Sequence, residues 1–230
     1  MTDFFLSPHP DDIAYSCFGP ICLSQHKKVI VTVYSVSCYA YNSTKNNIYE
    51  TTELRRNEEK QFAYRRNAEV IFLNYADSSI TMHKSIEETN KMNNRIKQDI
   101  QNLIKDYYPC NVYAPIAIGW HVDHINLRDI AVHLFKTNRL LVNKLYLYED
   151  LPYTCDLTTV DYCREINGMT KNLGIRSLVL SELNITLYSG QWHNDIHNYK
   201  SQFNLDEYRR MVAYKKKNEQ YFERIWEVQD

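Results

Sequence analysis

The chain's alternation of short apolar runs with amphipathic stretches predicts an α/β fold, a mostly parallel sheet with helices on both faces. Two stretches carry most of the weight. "KVIVTVYSV", residues 28–36, is a continuous apolar run suited to a central strand covered on both sides. "SIEETNKMNNRIKQDIQNLIKDYY", residues 85–108, sets Ile86, Ile96, Ile100 and Ile104 near helical spacing.

Taken in order, "DFFL" (3–6) is the first strand, "SPHPDD" (7–12) a loop, and Ile13 to His26 a helix. The run 28–36 is the second strand. The Asn-, Ser- and Thr-rich segment 37–52 follows as a long loop at its carboxyl end. A helix is expected from about Thr52, capped by Thr51 or Thr52 with Glu53 in its first turn. "EVIFLNY" (69–75) is the third strand and 85–108 a helix. "NVYAPI" (111–116) is the fourth strand, "HINLRDIAVHLFKT" (124–137) a helix and "NKLYLYED" (143–150) the fifth strand. After Pro152 the pattern weakens. "SLVLSELNITLYS" (177–189) alternates as a strand or hairpin, and 204–228 looks like one long terminal helix or two. With no internal repeat or composition shift, residues 1–230 are expected to form a single domain.

At 230 residues, 44% hydrophobic and 24% charged, the chain is long enough to bury a substantial core. A net charge of −1 gives no overall attraction to nucleic acid. "MTDFFLSPHPDD" does not resemble a signal peptide, and no apolar run approaches the roughly eighteen residues of a membrane span, so a soluble, cytoplasmic protein is expected. The six cysteines show no C-x-x-C pair and read as reduced thiols. Apolar faces on the last helix would support self-association into a homo-oligomer.

Chemistry concentrates where strands end. In an open α/β sheet, loops at the strands' carboxyl ends line the ligand crevice. "SPHPDD" puts His9, Asp11 and Asp12 in such a loop. Pro8 and Pro10 stiffen it, and the residue before a proline is pushed out of the helical region. A catalytic zinc takes three protein ligands and keeps one position open. "YAPIAIGWHVDHINL" supplies the rest of a shell: the fourth strand runs into a Gly-containing turn and then His121, Asp123 and His124. Two His/Asp clusters thus face the same side of the sheet.

"SPHPDD" together with "GWHVDH" resembles the PIG-L/LmbE-like zinc-dependent de-N-acetylases, whose motifs are H-P-D-D and H-x-D-H on a Rossmann-like three-layer fold. "LRRNEEKQFA" looks like the family's R-x-x-E helix, "NYADSS" like its aspartate loop, "YEDLPY" like its fifth-strand exit and "YKSQF" like its Ser-Gln segment. The resemblance covers roughly residues 3 to 202 and leaves the final stretch unaccounted for. It implies His9, Asp12 and His124 as metal ligands and Asp11 as general base. It implies a protonated His121 that stabilises the oxyanion or protonates the leaving amine, oriented by Asp123. Arg55 and Asp77 would hold the sugar's hydroxyls. The cofactor implied is Zn²⁺, although a His₂Asp set suits Fe²⁺ as well. The substrate implied is a small N-acetyl amino sugar: a GlcNAc-type glycoside, an aminoglycoside or a nucleotide sugar. The alternatives are an amidase acting on another amide, such as a thiol conjugate, and a non-catalytic binder.

The sequence departs from the family at "SVSCYAYN", Tyr-rich where many members carry glycine, which leaves the substrate open. Tyr39 and Tyr41 there either stack on a sugar or pack the loop. Trp192, His193 and His197 read as a polar surface loop rather than ligands, and the basic run "RRMVAYKKKNEQ" as a solvated helix face.

Overall fold

The computed structural model describes residues 1–42, 47–81 and 85–230, so residues 43–46 of the expected long loop lie outside the described residues. The first half contains β1 (Thr2–Ser7), α1 (Asp12–Ser16), α2 (Phe18–Leu23), β2 (Lys27–Thr32), α3 (Ile48–Arg65), β3 (Glu69–Phe72), α4 (Ser78–Thr81) and α5 (Ile86–Asp106). β4 (Cys110–Pro115), α6 (Val122–Thr137), β5 (Val142–Tyr148) and α7 (Thr159–Asn172) follow. The chain then runs through β6 (Ser177–Asn184), α8 (Ser189–Asn198), α9 (Leu205–Lys215), β7 (Lys216–Lys217) and β8 (Gln220–Gln229).

The sheet order is β3-β2-β1-β4-β5-β8-β6, with β7 paired to β8. The pairings among β1 to β5 are all parallel; β8 pairs antiparallel with both β5 and β6. Two apolar clusters cover its two faces. Phe4, Leu6, Val29 and Val31 pack with Ile96, Ile100 and Leu127 on one side; Phe5 and Ile30 pack with Phe18, Phe62 and Trp192 on the other. Strands buried on both faces explain why the apolar runs are continuous rather than alternating. Every carboxyl end of the five parallel strands opens on one edge. The order reverses between neighbouring β1 and β4, so the loops leaving these two strands diverge and open a crevice between them.

The expected helix 13–26 is two helices. Pro20 has no N–H and its ring clashes with the carbonyl four residues back, so α1 stops at Ser16 and Pro20 falls in the first turn of α2, where amide donors need no partner. α3 begins at Ile48, not Thr52: Asn47 Oδ1 caps it by accepting from Tyr49 N–H at 2.9 Å, while Thr52 is turned inward to bond Ser37. α5 starts with a capping box between Ser85 and Glu88; Ile96, Ile100 and Ile104 are buried, whereas Ile86 lies exposed.

The terminal helix stops at Lys215. Asn218 and Glu219, both at positive φ (50° and 62°), turn the chain into a hairpin, and residues 220–229 become β8 inside the sheet. Met211, Ile225 and Val228 of this terminal segment are buried within the chain. Trp192, expected in a surface loop, is fully buried on α8, and His193 is engaged by Tyr208 and Tyr221. All six cysteines are free. No described helix is long and apolar enough to cross a membrane.

Candidate active site

The loops leaving β1, β3, β4 and β5 meet over the crevice and form a cleft of about 510 Å³. His9, Asp11, Asp12, Arg55, Asp77, His121 and His124 all line it. Asp123 sits just behind, 2% exposed.

Three side chains converge at its floor, with one oxygen of Asp12 facing each histidine. His9 Nδ1 and His124 Nε2 are 3.3 Å apart, His9 Nδ1 and Asp12 Oδ2 3.4 Å, and His124 Nε2 and Asp12 Oδ1 3.5 Å. Ligands about 2.0–2.1 Å from a tetrahedral ion stand about 3.3–3.4 Å from one another, so the two imidazoles are spaced as a pair of ligands to one ion with the carboxylate beside both. The opposite nitrogen of each imidazole meets a carboxylate. His9 Nε2 lies 3.0 Å from Asp123 Oδ2, and His124 Nδ1 lies 2.6 Å from Asp150 Oδ1. Carboxylates in this position fix the ring and raise its basicity toward a metal. His121 offers a further nitrogen, and the ligand nitrogens of His9, His121 and His124 all lie within 4.8 Å of one another. His9 and His124, with Asp12 or His121 as the third donor, could hold one divalent ion.

The electrostatics agree with a site built for a cation. Burial alone would lower His9, yet hydrogen bonds to Asp12 and Asp123 carry it up to about 10. Burial would raise Asp12, but the charges of His124 and His9 hold it well below the usual carboxylate range. Asp11 is different. Burial pushes it up to about 7 against the pull of Arg55, whose Nη2 is 3.6 Å from Asp11 Oδ1. Its backbone φ of 148° lies in a region a non-glycine residue rarely adopts, and turns it away from Asp12, the first residue of α1.

Asp123 differs from expectation. It is 4.0 Å from His121 Nδ1 and takes its short bonds from His9 and from Ser78 N–H at 2.9 Å instead. His121 Nδ1 is buried with no hydrogen-bond partner among the described residues. Burial, reinforced by the charges of His9 and His124, lowers His121 to about 4. Arg55 and Asp77 come together, 3.7 Å apart, and Arg55 Nη1 also donates to Ser37 Oγ at 3.0 Å.

Sequence reasoning missed Asp150, whose second oxygen accepts Ile118 N–H at 3.0 Å and so ties the β4 and β5 exits together. Its only signal is a place in "YEDLPY". The R-x-x-E helix and the Ser-Gln segment are joined: Glu58 accepts Ser201 N–H at 2.9 Å, and Glu59 accepts the Tyr199 hydroxyl at 2.6 Å. Tyr39 and Tyr41 stand half-exposed on the cleft wall.

A profile of the PIG-L family, described as GlcNAc-PI de-N-acetylase, matches residues 4–135. The chain belongs to the PIG-L family. Within it, the chain is similar to 2'-N-acetylparomamine deacetylase of Streptomyces fradiae, 29% identical over 178 residues, which cover 71% of this chain and 63% of that relative. Among solved structures, a deacetylase of the teicoplanin biosynthesis pathway superposes with a TM-score of 0.77 at 18% identity, covering 100% of this chain and 98% of the other. The zinc-inhibited form of teicoplanin deacetylase gives 0.76 at 17% identity, covering 100% and 98%. At identities this low the superpositions show the fold alone, shared along the full length of this chain.

Proposed function

We propose that the chain is a metal-dependent de-N-acetylase, one domain over residues 1–230, that hydrolyses the N-acetyl group of an amino sugar. One observation carries the reading: His9, Asp12 and His124 converge at the cleft floor with the Asp11 carboxyl beside them. A named relative that deacetylates an N-acetylated compound supports it.

His9, Asp12 and His124 would hold the ion, which when bound supplies Lewis acidity toward a water and the amide carbonyl. Asp123 and Asp150 keep the two imidazoles oriented. Asp11 takes the proton that the attacking water gives up and returns it to the departing nitrogen, a task suited to a carboxyl group titrating near the working pH. His121 can present an N–H to the oxygen on which charge develops. Arg55 and Asp77 hold sugar hydroxyls at the cleft wall. Acetate and a free amine are the products.

The native ion is Zn²⁺ or Fe²⁺. A relative solved in a zinc-inhibited form makes the metal content part of the test. Protein with quantified bound metal is assayed for acetate release from N-acetylglucosamine glycosides, nucleotide sugars and amine-bearing glycosides, loaded with each ion in turn. Acetate from one class supports the reading; stoichiometric metal with no acetate from any overturns it.

A further inference from the structure

The floor of the cleft is buried, and its outer wall is tyrosine. Tyr39 and Tyr41 are 52% and 53% exposed and Tyr153 41%, against 6% for Asp12 and 2% for His124. Glu207, in the first turn of α9, lines this outer part. Its charge is felt by Tyr15, Tyr39 and Tyr153, so it faces the cleft. Among the described residues its carboxylate has no hydrogen bond and no ion pair. The neighbouring cations are committed elsewhere: Arg210 to Asp156 and Arg209 to Asp206. Half-burial draws the carboxyl's pKa upward against the pull of Arg210, and the charge of Asp156 adds to the rise.

At the floor, the carboxylates of Asp11, Asp12 and Asp77 face Arg55, the histidines and the ion they would hold, whereas on the outer wall Glu207 is the one charged side chain among the described residues. Arg55 is already held between Asp11, Asp77 and Ser37, at 3.6, 3.7 and 3.0 Å. A phosphate on the aglycone would meet Glu207 on an outer wall that no described lysine or arginine lines. An ammonium group would meet Glu207 and the tyrosine rings, whose faces attract cations.

We propose that Glu207 is a specificity-determining residue that selects N-acetylated glycosides carrying an ammonium group on the aglycone over neutral or phosphorylated ones. The inference rests on the deacetylase reading of the same cleft. It places the selecting group on α9, outside the segment matched by the family profile, where members are free to differ in substrate.

The experiment compares aminoalkyl, hydroxyalkyl and phosphoalkyl N-acetylglucosaminides of matched chain length on the metal-loaded protein, by acetate release and by calorimetric binding. The amine should lead the alcohol by about tenfold in kcat/KM, through KM, with the phosphate last and the gap narrowing as salt rises. Glu207→Gln should bring the amine-to-alcohol ratio close to one. Glu207→Lys should invert the order toward the phosphate, a gain that misfolding does not produce. Acetate released equally from all three, or an order unmoved by Glu207→Lys, overturns the inference and leaves the deacetylase standing. No acetate, but tighter binding of the amine that Glu207→Lys reverses, overturns the deacetylase and leaves the selectivity standing.

Discussion

Replacing Asp123 separates two accounts of its carboxylate. The family resemblance pairs it with His121; the structure pairs it with His9, at 3.0 Å, and keeps it 4.0 Å from His121 Nδ1. Asparagine can keep an oxygen where Oδ2 now accepts from both His9 and Ser78. Asp123→Asn therefore loses the charge and keeps the bonds. A charge-assisted hydrogen bond is about twice as strong as a neutral one, so the loss is about 1–1.5 kcal/mol, or roughly tenfold in metal affinity. Asp123→Ala removes the acceptor, freeing the ring of His9 to rotate and change tautomer, and should cost about 100-fold, the upper end for carboxylates behind a metal-binding histidine. The assay titrates metal-stripped protein with Zn²⁺ against a chelator of known affinity, with thermal melting to confirm that each variant folds. Affinities within about twofold of wild type in both variants, with kcat alone reduced, would refute the pairing with His9 and return the carboxylate to His121.

Further outcomes follow from other residues. Asp11→Asn should keep its metal and lose about 10²–10⁴-fold in kcat; metal-replete protein with full turnover would remove Asp11 as the base. Gly119 has φ of 101°, and a side chain there would overlap Tyr153 Cβ and come within 2.8 Å of its Cγ, so Gly119→Ala should lower stability by about 1–3 kcal/mol and raise KM, read by melting and initial rates. Glu59 is fully buried, and burial raises its carboxyl from 4.5 to about 8. The folded chain therefore keeps a proton that the unfolded chain releases, and stability should fall as pH rises from about 4.5 through about 8. Glu59→Gln should flatten that fall by on the order of a few kcal/mol, measured as urea midpoints at the two ends of the window; parallel slopes for variant and wild type would contradict it.

The convergence of His9, Asp12 and His124 was legible because each half is local. His9 and Asp12 share one proline-stiffened loop, His124 opens one helix, and the strand–helix alternation alone places both loops at the same sheet edge. What pairs with those ligands was not legible, since Asp150 and Ser78 arrive from strand exits whose distance apart depends on sheet order. Asp123 was expected to orient His121 and lies closer to His9, because sequence neighbours on a helix start point in different directions. The break at Pro20 was written in the sequence and carried less weight than the apolar pattern around it. The last strand was hidden for a different reason: "YFERIWEV" fits either period, and its pairing with β5 and β6 decides the matter from 38 to 81 residues away in sequence.

That last strand also sets the order in which the protein can be made. β8 lies between β5 and β6, so β6 has no hydrogen-bonding neighbour until residues 220–229 have been synthesised. Translation delivers the flanking strands first and the one that joins them last. While the ribosome still holds those residues, Leu178 and Leu183 of β6 and the free edge of β5 stay open to any passing chain. The catalytic loops, by contrast, all leave strands already emerged and paired, so the chemistry-bearing half can assemble during synthesis and wait for the remainder of the sheet to close.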